Sequence, residues 1–430
     1  MGCNVTCLGD LSIDGGKYGI AAPAVEYDPQ LPAYLRISDI NDDGTLNTTD
    51  RKSVANPSAK NYMLKRGDIV FARTGGSTGR NYYYDERDGN FAFAGFLIKF
   101  SLDPTKVNPR FIKYYTQSKP YWNWICSFNT GSTRGNINAK TLADMPIPLP
   151  SQPVQNAIVS ICDSISEKIR VNNRLNGYLE DLLLAMFSSL RPNESWSCGT
   201  ADSFFSIGIG KTPPRKEPHW FTRVDSGGTI WLSIKDMGSE GAYVLDSSEH
   251  LTNDAVQQKR IRIAPAGSVL LSFKLTVGRV KIAANDMTTN EAIACFSSND
   301  TRKLAYIYPY LRTYDYSKLG STSSIATAVN SKTIKAMPIE LPGSEELETF
   351  YQQSAALYSQ MLSNAKESNS LSKLRDTLLP KLMSGEIDVS KVDLTQLNSH
   401  LYACALHFAP MRSLVYCMRI SVLDMRENFR

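Results

Sequence analysis

The sequence predicts an α+β protein: two mixed α/β globular domains separated by two long antiparallel coiled-coil helices, arranged as a pseudo-two-fold internal repeat. Three observations predict it. A set of short segments recurs in the same order in the two halves of the 430-residue chain. Each copy opens with a stretch rich in Gly, Pro and aromatic residues, where short apolar runs are bounded by turn signals. Each copy then closes with a long polar-apolar stretch whose apolar residues step by three and four.

The repeat is clearest where each globular stretch ends. Asn138-Ala139-Lys140-Thr141-Leu142-Ala143-Asp144-Met145-Pro146-Ile147-Pro148-Leu149-Pro150 returns as Asn330-Ser331-Lys332-Thr333-Ile334-Lys335-Ala336-Met337-Pro338-Ile339-Glu340-Leu341-Pro342. Upstream, Tyr34–Ile40 aligns with Trp231–Met237, Gly67–Phe71 with Gly267–Leu271, and Gly79-Arg80 with Gly278-Arg279. Gly131-Ser132-Thr133 is echoed by Gly320-Ser321-Thr322. Chance similarity does not keep several anchors collinear, so the chain is a duplication.

Within the first copy, Asp68–Ala72 and Phe91–Phe100 are expected as strands; in the second, Ser268–Phe273 and Arg279–Ala283. Met145–Pro150 and Met337–Pro342 are Pro-punctuated closing strands. Ser151 can cap the helix that follows, and Pro153 falls in its first turn, where a missing N–H is tolerated. Ile158, Ile161, Ile165, Leu175, Leu179, Leu182 and Met186 supply the first seam, with Asn172 as a polar interruption. Leu347, Phe350, Leu357, Met361, Leu371, Leu374, Leu378 and Leu382 supply the second, interrupted at Asn364 and stopped near Pro380 and Gly385. A helix of about 36 residues spans roughly 54 Å. The order domain–helix–domain–helix makes the pair antiparallel. The boundaries read from these signals are 1–150 and 192–342 for the domains, 151–191 and 343–387 for the helices, and 388–430 for an atypical tail.

Composition excludes several classes. With 42% hydrophobic and 21% charged residues, the chain is neither a disordered polyelectrolyte nor a membrane protein. No apolar run is long enough to span a bilayer, and the start lacks a secretory pattern, so no membrane partner is expected. A formal myristoylation match at Gly2 is too degenerate to weigh against this. The eight cysteines are spread thinly, as expected of reduced thiols in a cytoplasmic protein. The net charge of +5 names no partner by itself.

Catalytic constellations are missing too. There is no Walker loop, dinucleotide fingerprint or His-Glu-x-x-His, and only four histidines are present. Asp50-Arg51-Lys52 resembles a nuclease triplet but lies in a polar loop without a shaped cavity around it. His400, Cys404, His407 and Cys417 lack the paired spacing of a zinc site. The reading is therefore non-catalytic, with no cofactor and no metal.

Recognition is what remains. Arg73, Thr74, Ser77, Arg80, Thr133, Arg134 and Lys140 in the first copy lie in or beside Gly/Ser/Thr-rich turns, as do Lys274, Arg279, Lys281, Ser321 and Lys332 in the second. Glycine permits close backbone approach, hydroxyls and amides donate, and Arg adds bidentate charge, a combination suited to DNA phosphates. Solvated turns would explain either set alone. Their recurrence at equivalent places favours a DNA-contacting role. The alternative is a structural adaptor whose paired domains bind something other than DNA.

As a whole the chain resembles the specificity subunits of type I restriction–modification systems. The resemblance rests on both Met-Pro-Ile-x-Leu-Pro closings, on Ser151-Gln152-Pro153-Val154-Gln155, on Gly208–Pro214 with Ile230–Met237, and on Leu378–Ile387. It implies two target-recognition domains on antiparallel helices, each domain reading half of a split, asymmetric site in double-stranded DNA. It also implies two methyltransferase subunits, which use S-adenosylmethionine to methylate adenine N6, and a motor-nuclease subunit. The specificity subunit itself is non-catalytic. Leu394–Arg430 departs from the pattern and has no counterpart in the first copy.

Overall fold

The computed structural model describes residues 4–47, 50–128, 135–222, 227–274, 276–319 and 329–389. They group into two compact units, one holding the chain up to Ser166 with the segment from Lys373, the other Glu167–Ser372.

The first unit runs β1 (Asn4–Cys7), β2 (Lys17–Tyr18), β3 (Val25–Glu26), β4 (Ala33–Leu35), β5 (Lys52–Ser53), β6 (Asp68–Ala72), β7 (Asn81–Tyr83), β8 (Phe91–Phe93) and β9 (Leu97–Ser101). Three short helices follow, α1 (Pro109–Tyr115), α2 (Lys119–Cys126) and α3 (Ala139–Ala143), then β10 (Pro146–Leu149) and the long α4 (Gln152–Ser189). Two four-stranded sheets form, in the orders β2-β9-β6-β7 and β3-β5-β4-β8, while β1 pairs antiparallel with β10. The expected strand over Phe91–Phe100 is two strands. They are broken at Ala94-Gly95-Phe96, where Leu97 N donates to Ala94 O at 2.8 Å.

The second unit repeats this plan: β11 (Ser197–Thr200), α5 (Ala201–Phe204), β12 (Ser206–Ile209), β13 (Phe221–Thr222), β14 (Thr229–Leu232), β15 (Tyr243–Val244), β16 (Glu249–Leu251), α6 (Asn253–Gln258), β17 (Val269–Ser272), β18 (Val280–Ala283), β19 (Thr288–Thr289) and β20 (Ile293–Ser297). It closes with α7 (Thr301–Thr313), α8 (Ser331–Lys335), β21 (Pro338–Leu341) and α9 (Ser344–Ser384). The sheet orders are β12-β20-β17-β18-β15 and β13-β16-β14-β19, and β11 pairs with β21. Apart from the added β15, strand order and direction match the first unit, down to the one parallel pair inside the second sheet, β4 with β8 and β14 with β19.

Buried aromatic and aliphatic side chains on β6 and β9 carry the first core; Phe71 meets Phe100 edge-on with ring centroids 6.0 Å apart. In the second, Val269 and Leu271 of β17 join Phe296, Tyr308 and Ile334. Gly79 (φ +88°) closes the turn after β6, donating its N–H to Ala72 O. A Cβ there would lie 2.6 Å from Ile125, so only glycine fits. Gly278 (φ +92°) does the same after β17, which explains why Gly-Arg is a shared anchor.

α4 and α9 fall where the seam pattern placed them. In the second unit their polar layers meet: Asn176 Nδ2 donates to Met361 O at 3.1 Å, Asn364 Nδ2 to Asn176 Oδ1 at 2.8 Å, and Asn172 Nδ2 to Glu367 Oε2 at 2.8 Å. Partner numbers fall along α9 as they rise along α4, so the helices run antiparallel. Two seam positions are corrected. Leu183 is fully buried where Leu182 was expected, and Leu374 is 47% exposed while Leu379 is buried. Pro380 does not end α9 but lies inside it; Gly385 (φ +74°) ends it.

Each globular domain is bolted to α4 through a carboxylate. Arg110 and Tyr114 of α1 converge on Asp163 at 2.5 and 2.6 Å. Tyr308 and Arg312 of α7 converge on Glu180 at 2.6 and 2.8 Å. Burial pushes both tyrosine hydroxyls far above their ordinary titration range, with the neighbouring carboxylate adding to it.

Candidate nucleic-acid interface

The segment after β6 leaves the sheet as a single 3-10 turn, Gly75–Ser77. Thr78 Oγ1 donates to Gly75 O at 2.7 Å and lies within hydrogen-bonding distance, 2.9 Å, of Gly135 O. Gly75 N donates to Gly135 O, Thr74 bridges Asn136, and Ile137 N donates to Arg73 O at 2.9 Å. The first Gly/Ser/Thr turn is therefore stitched to Gly135, Asn136 and Ile137, the described residues that follow Arg134. Among the described residues, nothing lies within 4 Å of a Cβ placed on Gly75 or Gly76.

Arg73 stands at the centre of this face. Its guanidinium carbon lies 5.0 Å from the centroid of the Tyr18 ring. Its Nε is buried and, among the described residues, has no hydrogen-bond partner. The Arg73 N–H donates to Phe96 O at 3.0 Å, at the tip of the β8–β9 turn, where the Phe96 ring is 59% exposed. Tyr18 OH in turn accepts from Ala139 N at 3.2 Å, at the start of α3, and the next residue is the exposed Lys140. Asn138 caps that helix by accepting from Thr141 N. Asn330 caps α8 in the same way and places Lys332 equivalently exposed.

The other expected contacts divide. Ser77 and Thr74 belong to the stitched turn. Arg80 does not stand free: its Nε pairs with Asp42 at 2.7 Å and its Nη1 reaches Ile40 O at 3.3 Å, holding the turn against the loop after β4. Arg279 likewise donates to Ile234 O at 2.8 Å. Lys274 is exposed, its ammonium 5.6 Å from the Phe273 ring. Lys281 is a correction. It lies buried in β18 and its ammonium donates to Ser239 O and Gly241 O, so it is a structural residue and not a surface phosphate contact. Burial lowers its pKa to about 8. Thr133, Arg134 and Ser321, like His400, Cys404, His407 and Cys417, lie outside the described residues.

Equivalent backbone carries different side chains in the two units. Phe273 N donates to Ala292 O at 2.9 Å, as Arg73 N donates to Phe96 O. Both Phe273 and Ala292 are buried. The sequence pointed to Arg73 but missed Tyr18 and Phe96. An aromatic directly after Gly95, between two apolar runs, was the signal available.

Gly75-Gly76-Ser77-Thr78-Gly79 also spells the Gly-x-Ser-x-Gly pattern of a serine nucleophile. Here it forms a 3-10 turn leading into β7, not a strand-to-helix elbow. The described histidines, His219 and His250, belong to the other unit. Among the described residues no group of three or more His, Cys, Asp or Glu is placed to hold a metal, and no helix is long and apolar enough to cross a membrane.

The profile of the type I restriction modification DNA specificity domain matches residues 4–181 and again 193–371. The chain belongs to that family. It is a DNA sequence-recognition subunit, and the two matches coincide with the two copies of the repeat. The specificity subunit of the type I restriction enzyme HindI from Haemophilus influenzae is 19% identical over 413 residues, covering 77% of this chain and 89% of that one. That of MjaIX from Methanocaldococcus jannaschii is 28% identical over 159 residues, 36% of this specificity chain and 35% of that one. Among solved structures, the type I restriction-modification S subunit from M. genitalium is 17% identical with a TM-score of 0.46, covering 88% of this chain and 96% of that chain.

Proposed function

We propose that each globular domain reads one half of a bipartite, asymmetric site in double-stranded DNA, and that α4 and α9 set the unread spacer between the halves. The same helices dock two methyltransferase subunits, which supply the S-adenosylmethionine chemistry, and a motor-nuclease subunit joins them. The observation that carries this reading is one scaffold built twice with different side chains at equivalent backbone positions. Arg73 and the exposed Phe96 in one copy correspond to the buried Phe273 and Ala292 in the other, so the two domains present different surfaces at the same junction, as expected of domains that read different half-sites.

In this reading Arg73 and Lys140, with Lys274 and Lys332 in the second domain, contact phosphates or base edges. Glycines 75 and 76 let the backbone approach the duplex. Selection from random duplexes by the chain assembled with its methyltransferase subunits tests it. Two short specified segments separated by a fixed unread gap are expected. Arg73→Ala should weaken binding and make the salt slope shallower by about one, as loss of one phosphate contact does. A single contiguous motif, or an Arg73→Ala variant with unchanged affinity and salt slope, would contradict it.

A further inference from the structure

We propose that Phe96 is an apolar wedge with which the first domain tests the stacking of one base step in its half-site, with Arg73, laid over Tyr18, as the cation beside it. The proposal rests on the DNA-recognition reading above and adds to it a residue and a mechanism.

A lone exposed phenylalanine is ordinary on a protein surface. This one differs in three ways. Its backbone is pinned: Gly95 N donates to Ile20 O at 2.8 Å, Leu97 N to Ala94 O at 2.8 Å, and Arg73 N to Phe96 O at 3.0 Å. The ring therefore projects from a rigid turn, and little backbone freedom remains to be lost on insertion. Its neighbours are also unspent. Among the described residues, Arg73 has a buried Nε without a hydrogen-bond partner and pairs with no carboxylate. Tyr18 is 43% exposed. Finally, the scaffold does not require these side chains. The same three-strand junction in the second unit is closed by Phe273 and Ala292 with the same backbone bond, and both are buried.

A rigid exposed ring on the turn whose carbonyl Arg73 N–H bonds, near glycines whose Cβ positions meet nothing among the described residues, suits a duplex groove. Apolar side chains inserted there unstack a base step, and arginine then contacts the adjacent edge or phosphate. Unstacking is easiest at pyrimidine–purine steps. The first domain's half-site should therefore contain such a step opposite Phe96, and the domain should discriminate by deformability at a place it does not read by hydrogen bonds.

The test uses the full chain assembled with its methyltransferase subunits and the duplex it selects, with 2-aminopurine placed at each step of both halves. Fluorescence should rise at one step of one half with the unaltered protein. Phe96→Ala should abolish that rise and weaken binding about tenfold or more, while leaving the salt slope unchanged. Phe96→Tyr, which keeps a ring, should retain the rise. Arg73→Ala should instead make the salt slope shallower. Phe96→Ala binding within about twofold of the unaltered complex, with the fluorescence rise intact, would overturn the wedge while leaving DNA recognition standing. So would loss of subunit assembly in Phe96→Ala, which would make the ring a protein contact. An unaltered complex that selects no duplex would overturn both readings.

Discussion

At the scale of single residues, the duplication shows which side chains serve the scaffold. Asp68, nearly fully buried on β6, accepts from Ser101 Oγ at 2.7 Å and pairs with Lys99 at 3.1 Å. The equivalent places in the second unit hold Ser268 and Cys295, both buried; burial pushes that thiol's pKa up while Ser268 opposes it. One copy thus uses a buried ion pair where the other uses a neutral one. Removing one partner of a buried pair typically costs about 3–5 kcal/mol, whereas replacing both is far milder. Urea unfolding of Asp68→Ser, Lys99→Cys and the double variant should therefore give a strongly non-additive cycle, with the double variant more stable than Asp68→Ser alone; additive losses would refute the swap. Lys281 supplies a second case. Its folded pKa near 8 lies below the ordinary 10.5, so between those values the unfolded chain holds more protons and stability rises with pH. Below 8 the penalty of the buried charge is fully present. Urea midpoints from pH 7.5 to 10 should climb for the native chain and climb less for Lys281→Met, whose DNA-binding salt slope should stay unchanged. The sequence could not separate Lys281 from Lys274, because a lysine beside a Gly/Ser/Thr turn looks the same whether its amine meets water or two carbonyls.

At the scale of elements, the two helices were the most legible feature, since a three–four repeat sustained over many turns matches the helical period and not that of a strand. Its phase was less so. Leu347, Phe350 and Met361 of α9 are buried in the second unit and Leu379 and Leu382 in the first, and one seam extrapolated along the helix misassigns Leu374. The polar interruptions carry the register. Asn176 and Asn364 are buried and bonded to each other, and a buried amide pair penalises every register that separates its members. Asn176→Leu or Asn364→Leu alone should cost about 1–3 kcal/mol by orphaning the other amide. The double variant should recover stability yet relax the spacer, seen as a second gap length among methylated sites. A single gap length in the double variant would assign register to the apolar seam instead. Inserting one helical turn near Asn172 shifts a domain by about 5.4 Å, so the spacer should lengthen by one or two base pairs at about 3.4 Å each. Altered half-site bases with an unchanged spacer would refute the ruler.

At the scale of the whole molecule, the duplication was readable because its anchors are positions where backbone geometry restricts the residue. Gly67 and Gly267 have φ of +90° and +84°, Gly79 and Gly278 close matching turns, and Asn138 and Asn330 cap matching helices. The sheet orders were not readable. Strands of two to five residues leave little periodicity, and their partners lie far along the chain, as β2 with β9 or β14 with β19. The candidate face was legible in half: the glycine-rich turns pointed to Arg73, while Phe96 and Tyr18 come beside it only through pairing between distant strands. The central claim is that two interchangeable recognition domains each read their own half of a split site. Methylation mapping decides it most directly, using cells whose chain has residues 1–150 replaced by the corresponding domain of another specificity subunit. The account predicts that the half-site of the first domain changes while the other half and the spacer persist. A change in both halves, or methylation at an unsplit motif, would contradict it.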